Sequence, residues 1–211
     1  MKQILVYGDS LTWGIVPGTR RRLLFSQRWP GVLETELLRG GHLVRVIEDA
    51  LNGRRTVWDD PFKPGRNGVV GIEQRIEVNS PLALVILMLG TNDFQSTHQN
   101  TAAHSAQGVA SIVRAVRRAP IEPDMPVPPI LIVSPPQSDT PTGTMVDKFA
   151  GARDRSRGLA SAYGAIAAEL DCGFFDAGRV ITVSEVDGVH LDADQHDVLG
   201  HCLLDPVRTY L

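Results

Sequence analysis

What most constrains this chain is an alternation in the kind of its apolar segments. Short β-branched and aliphatic runs suited to buried strands recur at Gln3 to Tyr7, Leu43 to Ile47, Leu84 to Leu89, Ile130 to Val133 and Gly173 to Phe175. Between them the apolar residues fall at helical spacing. Trp29, Val32, Leu33 and Leu37 form one stripe, which Gly40-Gly41 should stop. Val109, Ile112, Val113 and Val116 form a second, ending near Arg117 and Arg118. Leu159, Ala162, Tyr163, Ile166 and Leu170 form a third. Such alternation specifies a parallel sheet, because parallel strands need long crossovers and helices cover both faces.

The expected fold is therefore α/β: a three-layer, flavodoxin-like sandwich on a five-stranded parallel sheet. Right-handed crossovers allow the order 2-1-3-4-5, which makes strands 1 and 3 neighbours where the winding reverses. With 211 residues the chain suits a single domain, 1–211, long enough for a full core. The last helix should begin after His190, with Asp192 as cap and Gln195 completing a capping box, and should kink or stop before Pro206. Three long connections, Ile15 to Gln27, Thr56 to Gly71 and Pro135 to Gly151, follow strand carboxyl ends, where lids and pocket walls usually lie. The Pro-rich stretch from Pro120 to Pro129 belongs to the opposite edge.

Chemistry-bearing residues collect on the first of those edges. Ser10 follows strand 1 in Gly8-Asp9-Ser10-Leu11, and Asn92 follows strand 3 in Gly90-Thr91-Asn92-Asp93, so the switch point brings them together. A serine hydroxyl is protonated near neutral pH and needs a base to attack, and the base needs an orienting acid. Asp187-Gly188-Val189-His190 supplies a carboxylate and an imidazole in one loop that can bend at Gly188. Asp9 reads as a structural carboxylate on the turn, and Asp93 as securing its loop. The turn is no α/β-hydrolase elbow, since Thr12 stands where the second glycine belongs. His190, Asp192, Asp194 and His196 make a poor metal set: alternating ligands need an extended strand, and this stretch reads as a helix start. No metal is expected.

The net charge of −3 gives no footprint for nucleic acid, and no apolar stretch reaches membrane-spanning length. Arg20-Arg21-Arg22 reads as a solvated loop or an oligomer contact rather than an anion site. Cys172 and Cys202 fit neither a metal spacing nor a framework and are expected to be buried, reduced thiols. The opening strand leaves no room for a signal peptide, so a cytoplasmic protein is expected.

The blocks Gly8-Asp9-Ser10-Leu11, Gly53, Gly90-Thr91-Asn92-Asp93 and Asp187-Gly188-Val189-His190, in this order, resemble those of the SGNH (GDSL-type) hydrolases. Gly8 to Gly14, Asp59-Asp60-Pro61 and Met88 to Asp93 are closest to the bacterial arylesterase/acyltransferase subgroup. The resemblance implies a cofactor-free serine esterase with Ser10 as nucleophile, His190 as base and Asp187 as its orienter. It implies an oxyanion hole from the N–H groups of Ser10 and Gly53 and the side-chain amide of Asn92. The substrate would be a small aryl or short-chain acyl ester, with acyl transfer to alcohols, and the protein a homo-oligomer whose loops narrow the entrance. Leu11, Trp13 and Val189 flank the triad and are candidate pocket walls. The same triad also serves thioesterases, lysophospholipases and carbohydrate deacetylases. A flavodoxin-like ligand-binding module is the alternative from another class, although the turn lacks a phosphate-cradling glycine pattern.

Overall fold

The computed structural model describes all 211 residues. In chain order it contains β1 (Lys2–Gly8), a one-turn helix α1 (Ser10–Trp13), α2 (Trp29–Arg39), β2 (Val44–Ala50) and α3 (Ile72–Asn79). Then follow β3 (Leu84–Met88), α4 (Ala102–Arg118), β4 (Ile130–Ser134), α5 (Ala152–Arg155) and α6 (Leu159–Glu169). β5 (Gly173–Asp176), α7 (Ala193–Cys202) and α8 (Leu204–Arg208) complete it. The five strands form one parallel sheet in the order β2-β1-β3-β4-β5, as expected from the alternation.

Successive strand residues point to opposite faces, so each strand feeds two cores. Leu5, Tyr7, Val85, Leu87 and Ile132 meet the apolar stripes of α3, α4 and α6 on one side. Ile4, Val6, Ile86, Met88 and Val133 meet Trp29, Leu33 and Leu37 of α2, with Leu199 and Leu203 of the α7 end, on the other. β1 and β3 pair from Ile4↔Leu84 to Gly8↔Met88, so their carboxyl ends leave the sheet side by side. No helix is long and apolar enough to cross a membrane.

Several local expectations need correction. β2 runs on to Ala50 through Glu48 and Asp49, because arginines satisfy those carboxylates: Arg22 and Arg28 pair with Glu48, and Arg54 and Arg75 with Asp49. α3 has no counterpart among the expected helices, since only Ile72 and Ile76 of its eight residues are buried, too short a stripe to read. Asp192 precedes α7 but makes no capping bond. Its carboxylate accepts from Ser184 Oγ at 3.0 Å, and Gln195 accepts from Thr182 N instead of closing a box. Pro206 does mark a break: α7 ends at Cys202 and α8 restarts at Leu204. Cys172 and Cys202 are free but only half-buried.

Candidate active site

Ser10 is the first residue of α1, immediately beyond β1. Asp9 caps that turn, Oδ1 accepting from Leu11 N at 2.9 Å. Across the gap, β3 ends and Thr91–Phe94 forms a 3₁₀ turn carrying Asn92. A third segment, the turn after β2, carries Gly53 at φ 84°, a conformation in which glycine has no steric penalty. The backbone N–H groups of Ser10 and Gly53 donate to no acceptor in the chain.

The Asp187–His190 loop arrives from the far end of the sequence. Asp187 Oδ2 lies 2.8 Å from His190 Nδ1 and also accepts from Gly18 N at 3.2 Å. Its Oδ1 accepts from the backbone N–H of Val189 and of His190 at 3.0 and 2.9 Å. Gly188 makes the bend at φ 72°, and a Cβ there would sit 2.3 Å from Thr140 O. Burial works to raise the Asp187 pKa, yet the His190 ring bond and the two amides hold it far below the usual carboxylate range. A carboxylate kept ionised in this way fixes the imidazole with Nδ1 protonated and leaves Nε2 free to accept a proton.

Asn92 is oriented from both ends. Its Nδ2 donates to Asp9 Oδ2 at 3.0 Å and to Arg54 O at 3.2 Å, while its Oδ1 accepts from Gln95 Nε2 at 2.6 Å. Gln95 is itself held by Arg55, whose Nη2 donates to Gln95 Oε1 at 2.7 Å. The Arg55 side chain is wholly buried, pairs with Asp60 at 3.0 Å and also donates to Asn92 O. Since a carboxylate accepts only and a guanidinium donates only, Asp9 at one end and Arg55 at the other set both amides. One residue on, Asp93 joins the Asn92 loop to Thr56: its oxygens accept from Thr56 N and Oγ1, both at 2.9 Å, and from Ser105 Oγ at 2.6 Å. Burial raises Asp93 to about 7 and Asp9 to about 6, against the pull of these hydrogen bonds.

These segments surround a cavity of about 440 Å³ whose walls include Ser10, Gly53, Asn92 and His190, with Asp187 behind the imidazole. Among the anticipated site residues, these five converge. The three proposed pocket walls do not line it. Leu11 and Val189 are buried in the two cores, and Trp13 lies beneath the Arg22 guanidinium, 4.5 Å from its ring centroid. Leu11 and Val189 point into the cores rather than toward the cavity that Ser10 and His190 line. The apolar part of the actual wall, Ile15, Phe62, Met145 and Phe149, comes from the three long loops, while the polar part adds Asn52, Gln95 and Thr97 from the segments after β2 and β3 to Thr144. Phe149 is buried within the chain and needs no neighbour to cover it. His196 is turned into the core, where Nδ1 accepts from Trp29 N at 3.3 Å, well removed from any shared role with Asp192. Sequence reasoning missed Arg55 and Gln95. The tandem Arg54-Arg55 beside Gly53 was the one available signal, an odd pairing for a segment near a buried strand end.

Residues 6–198 match the model of the GDSL-like lipase/acylhydrolase family. The inhibitor-bound aryl esterase of M. smegmatis superposes with a TM-score of 0.93 at 36% identity, covering 100% of both chains. A carbohydrate acetylesterase family member from Sinorhizobium meliloti reaches 0.94 at 39% identity, over 100% of this chain and 99% of that one. A further carbohydrate acetylesterase from the same organism reaches 0.93 at 33% identity over 100% of both. No curated protein matches the sequence.

Proposed function

We propose, from the premise that this chain belongs to the GDSL-like lipase/acylhydrolase family and is a carboxylic ester hydrolase, that it cleaves small short-acyl esters through an acyl-enzyme on Ser10. His190 Nε2 takes the Ser10 proton as Oγ attacks the acyl carbon, and Asp187 stabilises the imidazolium that forms. The developing oxyanion receives the N–H groups of Ser10 and Gly53, together with the Asn92 hydrogen otherwise directed at Arg54 O. Collapse expels the alcohol, protonated by His190. Water then repeats the sequence to release the acid, and an alcohol in its place yields acyl transfer. The observation that carries this reading is the meeting, on one cavity, of Ser10, an Asp187-oriented His190 and two backbone N–H groups with no other partner.

The polar part of the walls favours a second form of the same reading, in which the alcohol is itself hydroxylated, as in an acetylated carbohydrate. Phe62 and Phe149 favour an aryl alcohol. A fluorophosphonate probe tests the common core: the adduct should map to the peptide containing Ser10 and vanish in Ser10→Ala. An adduct elsewhere, or none, removes the serine mechanism.

A further inference from the structure

The chain carries only three lysines in a protein of net charge −3, yet two of them, Lys63 and Lys148, line the catalytic cavity. Arg20 joins them from its exposed loop, and all three residues are solvent-exposed at the cavity wall. None of the three is within an ion pair, whereas Arg55, which lies behind this wall, is matched by Asp60. Against three unmatched cations the cavity offers one unmatched carboxylate, Asp147. The Lys148 ammonium sits 5.6 Å from the Phe149 ring centroid. Burial, then Lys63, with Arg55 and Arg20 contributing and Asp60 opposing, hold its pKa below the ordinary lysine range. The cations therefore share one wall without a carboxylate partner of their own, a place that a ligand of opposite charge can take.

We propose that the preferred substrates are esters whose alcohol portion bears an anionic group, a carboxylate or a phosphate, received by Arg20, Lys63 and Lys148. The inference rests on the serine-esterase reading above: since the acyl group is short, the charge belongs to the alcohol. A cationic wall beside the nucleophile raises the local concentration of anionic ester and retains it. Both effects act on kcat/KM and weaken with salt.

The test compares kcat/KM for 4-acetoxybenzoate and 4-acetoxyphenyl phosphate with that for neutral 4-acetoxybenzamide. The carboxamide is the better-activated leaving group of the carbonyl pair, so intrinsic reactivity works against the expected result. At low ionic strength we expect one or both anionic esters to be favoured about tenfold. A preference confined to the phosphate identifies a phosphorylated alcohol, and one that includes the benzoate identifies a carboxylated alcohol as sufficient. The ratio should approach unity at about 0.5 M salt, where screening acts within a few ångströms, and in Lys63→Gln/Lys148→Gln. A ratio of one or less in the unaltered protein overturns the proposal, as does a preference that survives both salt and the double substitution. If none of the esters is cleaved, or Ser10→Ala cleaves them equally well, the serine-esterase reading itself has failed. The salt series needs no variant, so a misfolded double mutant leaves the question decidable.

Discussion

Replacing Gln95 by glutamate isolates the orientation of Asn92 from its presence. The substitution keeps the side-chain shape, and one carboxylate oxygen still accepts from the wholly buried Arg55, so the fold has every reason to persist. The other oxygen, however, takes the place of a nitrogen that lies 2.6 Å from Asn92 Oδ1. Two acceptors then face each other. Rotating the Asn92 amide relieves that contact only by turning its oxygen onto Asp9 Oδ2 and Arg54 O, now 3.0 and 3.2 Å from Nδ2. No rotamer satisfies all partners, so the donor proposed for the oxyanion is lost or misdirected. Losing one such donor costs about 3 kcal/mol, roughly a hundredfold or more in kcat. Asn92→Ala should set the ceiling, with Gln95→Glu approaching it at pH 8 and KM little changed, because the charge addressed develops after binding. Once protonated, the introduced carboxyl donates as the Gln95 amide does, so the rate relative to the unaltered enzyme should recover as pH falls. Steady-state kinetics on 4-nitrophenyl acetate across pH reads both effects. A Gln95→Glu enzyme within a factor of two of the parent at pH 8, or one altered only in KM, would falsify the orienting chain.

Gly188→Ala should lower kcat by orders of magnitude and reduce Tm, since φ 72° and a Cβ 2.3 Å from Thr140 O both displace the Asp187–His190 loop; unchanged kinetics would mean that the loop tolerates the shift. Stability should respond to pH in two opposed ways. Asp187 is depressed below its unfolded value of about 3.9, so its contribution holds above that pH and is lost on acidification. Asp93 is raised to about 7, so its favourable contribution is present at acid pH and fades as pH climbs from the unfolded value through 7. Urea midpoints should therefore fall less between pH 4 and 7 in Asp93→Asn than in the parent, and an identical slope would refute the burial argument. Leu24 and Phe62 remain 69% and 79% exposed, and a homo-oligomer that covers them is expected. A monomer by light scattering at micromolar concentration would remove that expectation.

The sheet order and the convergence of Ser10 with Asn92 were legible because both follow from local apolar pattern plus one topological rule. Strand ends were read within a residue or two except at β2, where Glu48 and Asp49 are paired by Arg22, Arg28 and Arg75, each 20 or more residues away, as well as by nearby Arg54. Nearness in sequence misled at Leu11 and Val189: beside the proposed catalytic residues, both point into the core. The Asp60–Arg55–Gln95–Asn92 chain was invisible for a related reason. Its outer links are local, but the middle one joins two loops, and no spacing rule relates Arg55 to a glutamine 40 residues on. What pattern reveals is which backbone segments meet, whereas the walls and supports of the cavity depend on side-chain directions that only the packed chain defines.

The proposed nucleophile and its proposed base lie 180 positions apart, Ser10 just after the first strand and His190 just before the final helices. Neither half of this pair has a local substitute. β1 gains its neighbours on both sides only after β2 and β3 have docked, and the Asp187–His190 loop meets Ser10 only once the sheet is closed through β5. Long-range contacts of this kind are among the last to form, because loop closure must precede any gain from them. Turnover is thus a readout of completed assembly: a partly folded chain carries a serine with no more reactivity than any other, and cannot acylate itself while its core is still open. The same separation makes activity an early casualty of unfolding. Detachment of the late loop from the early turn disconnects the proposed proton relay and withdraws Val189 from one core while the sheet and its helices stay packed, so loss of turnover should precede loss of helix signal in a thermal ramp.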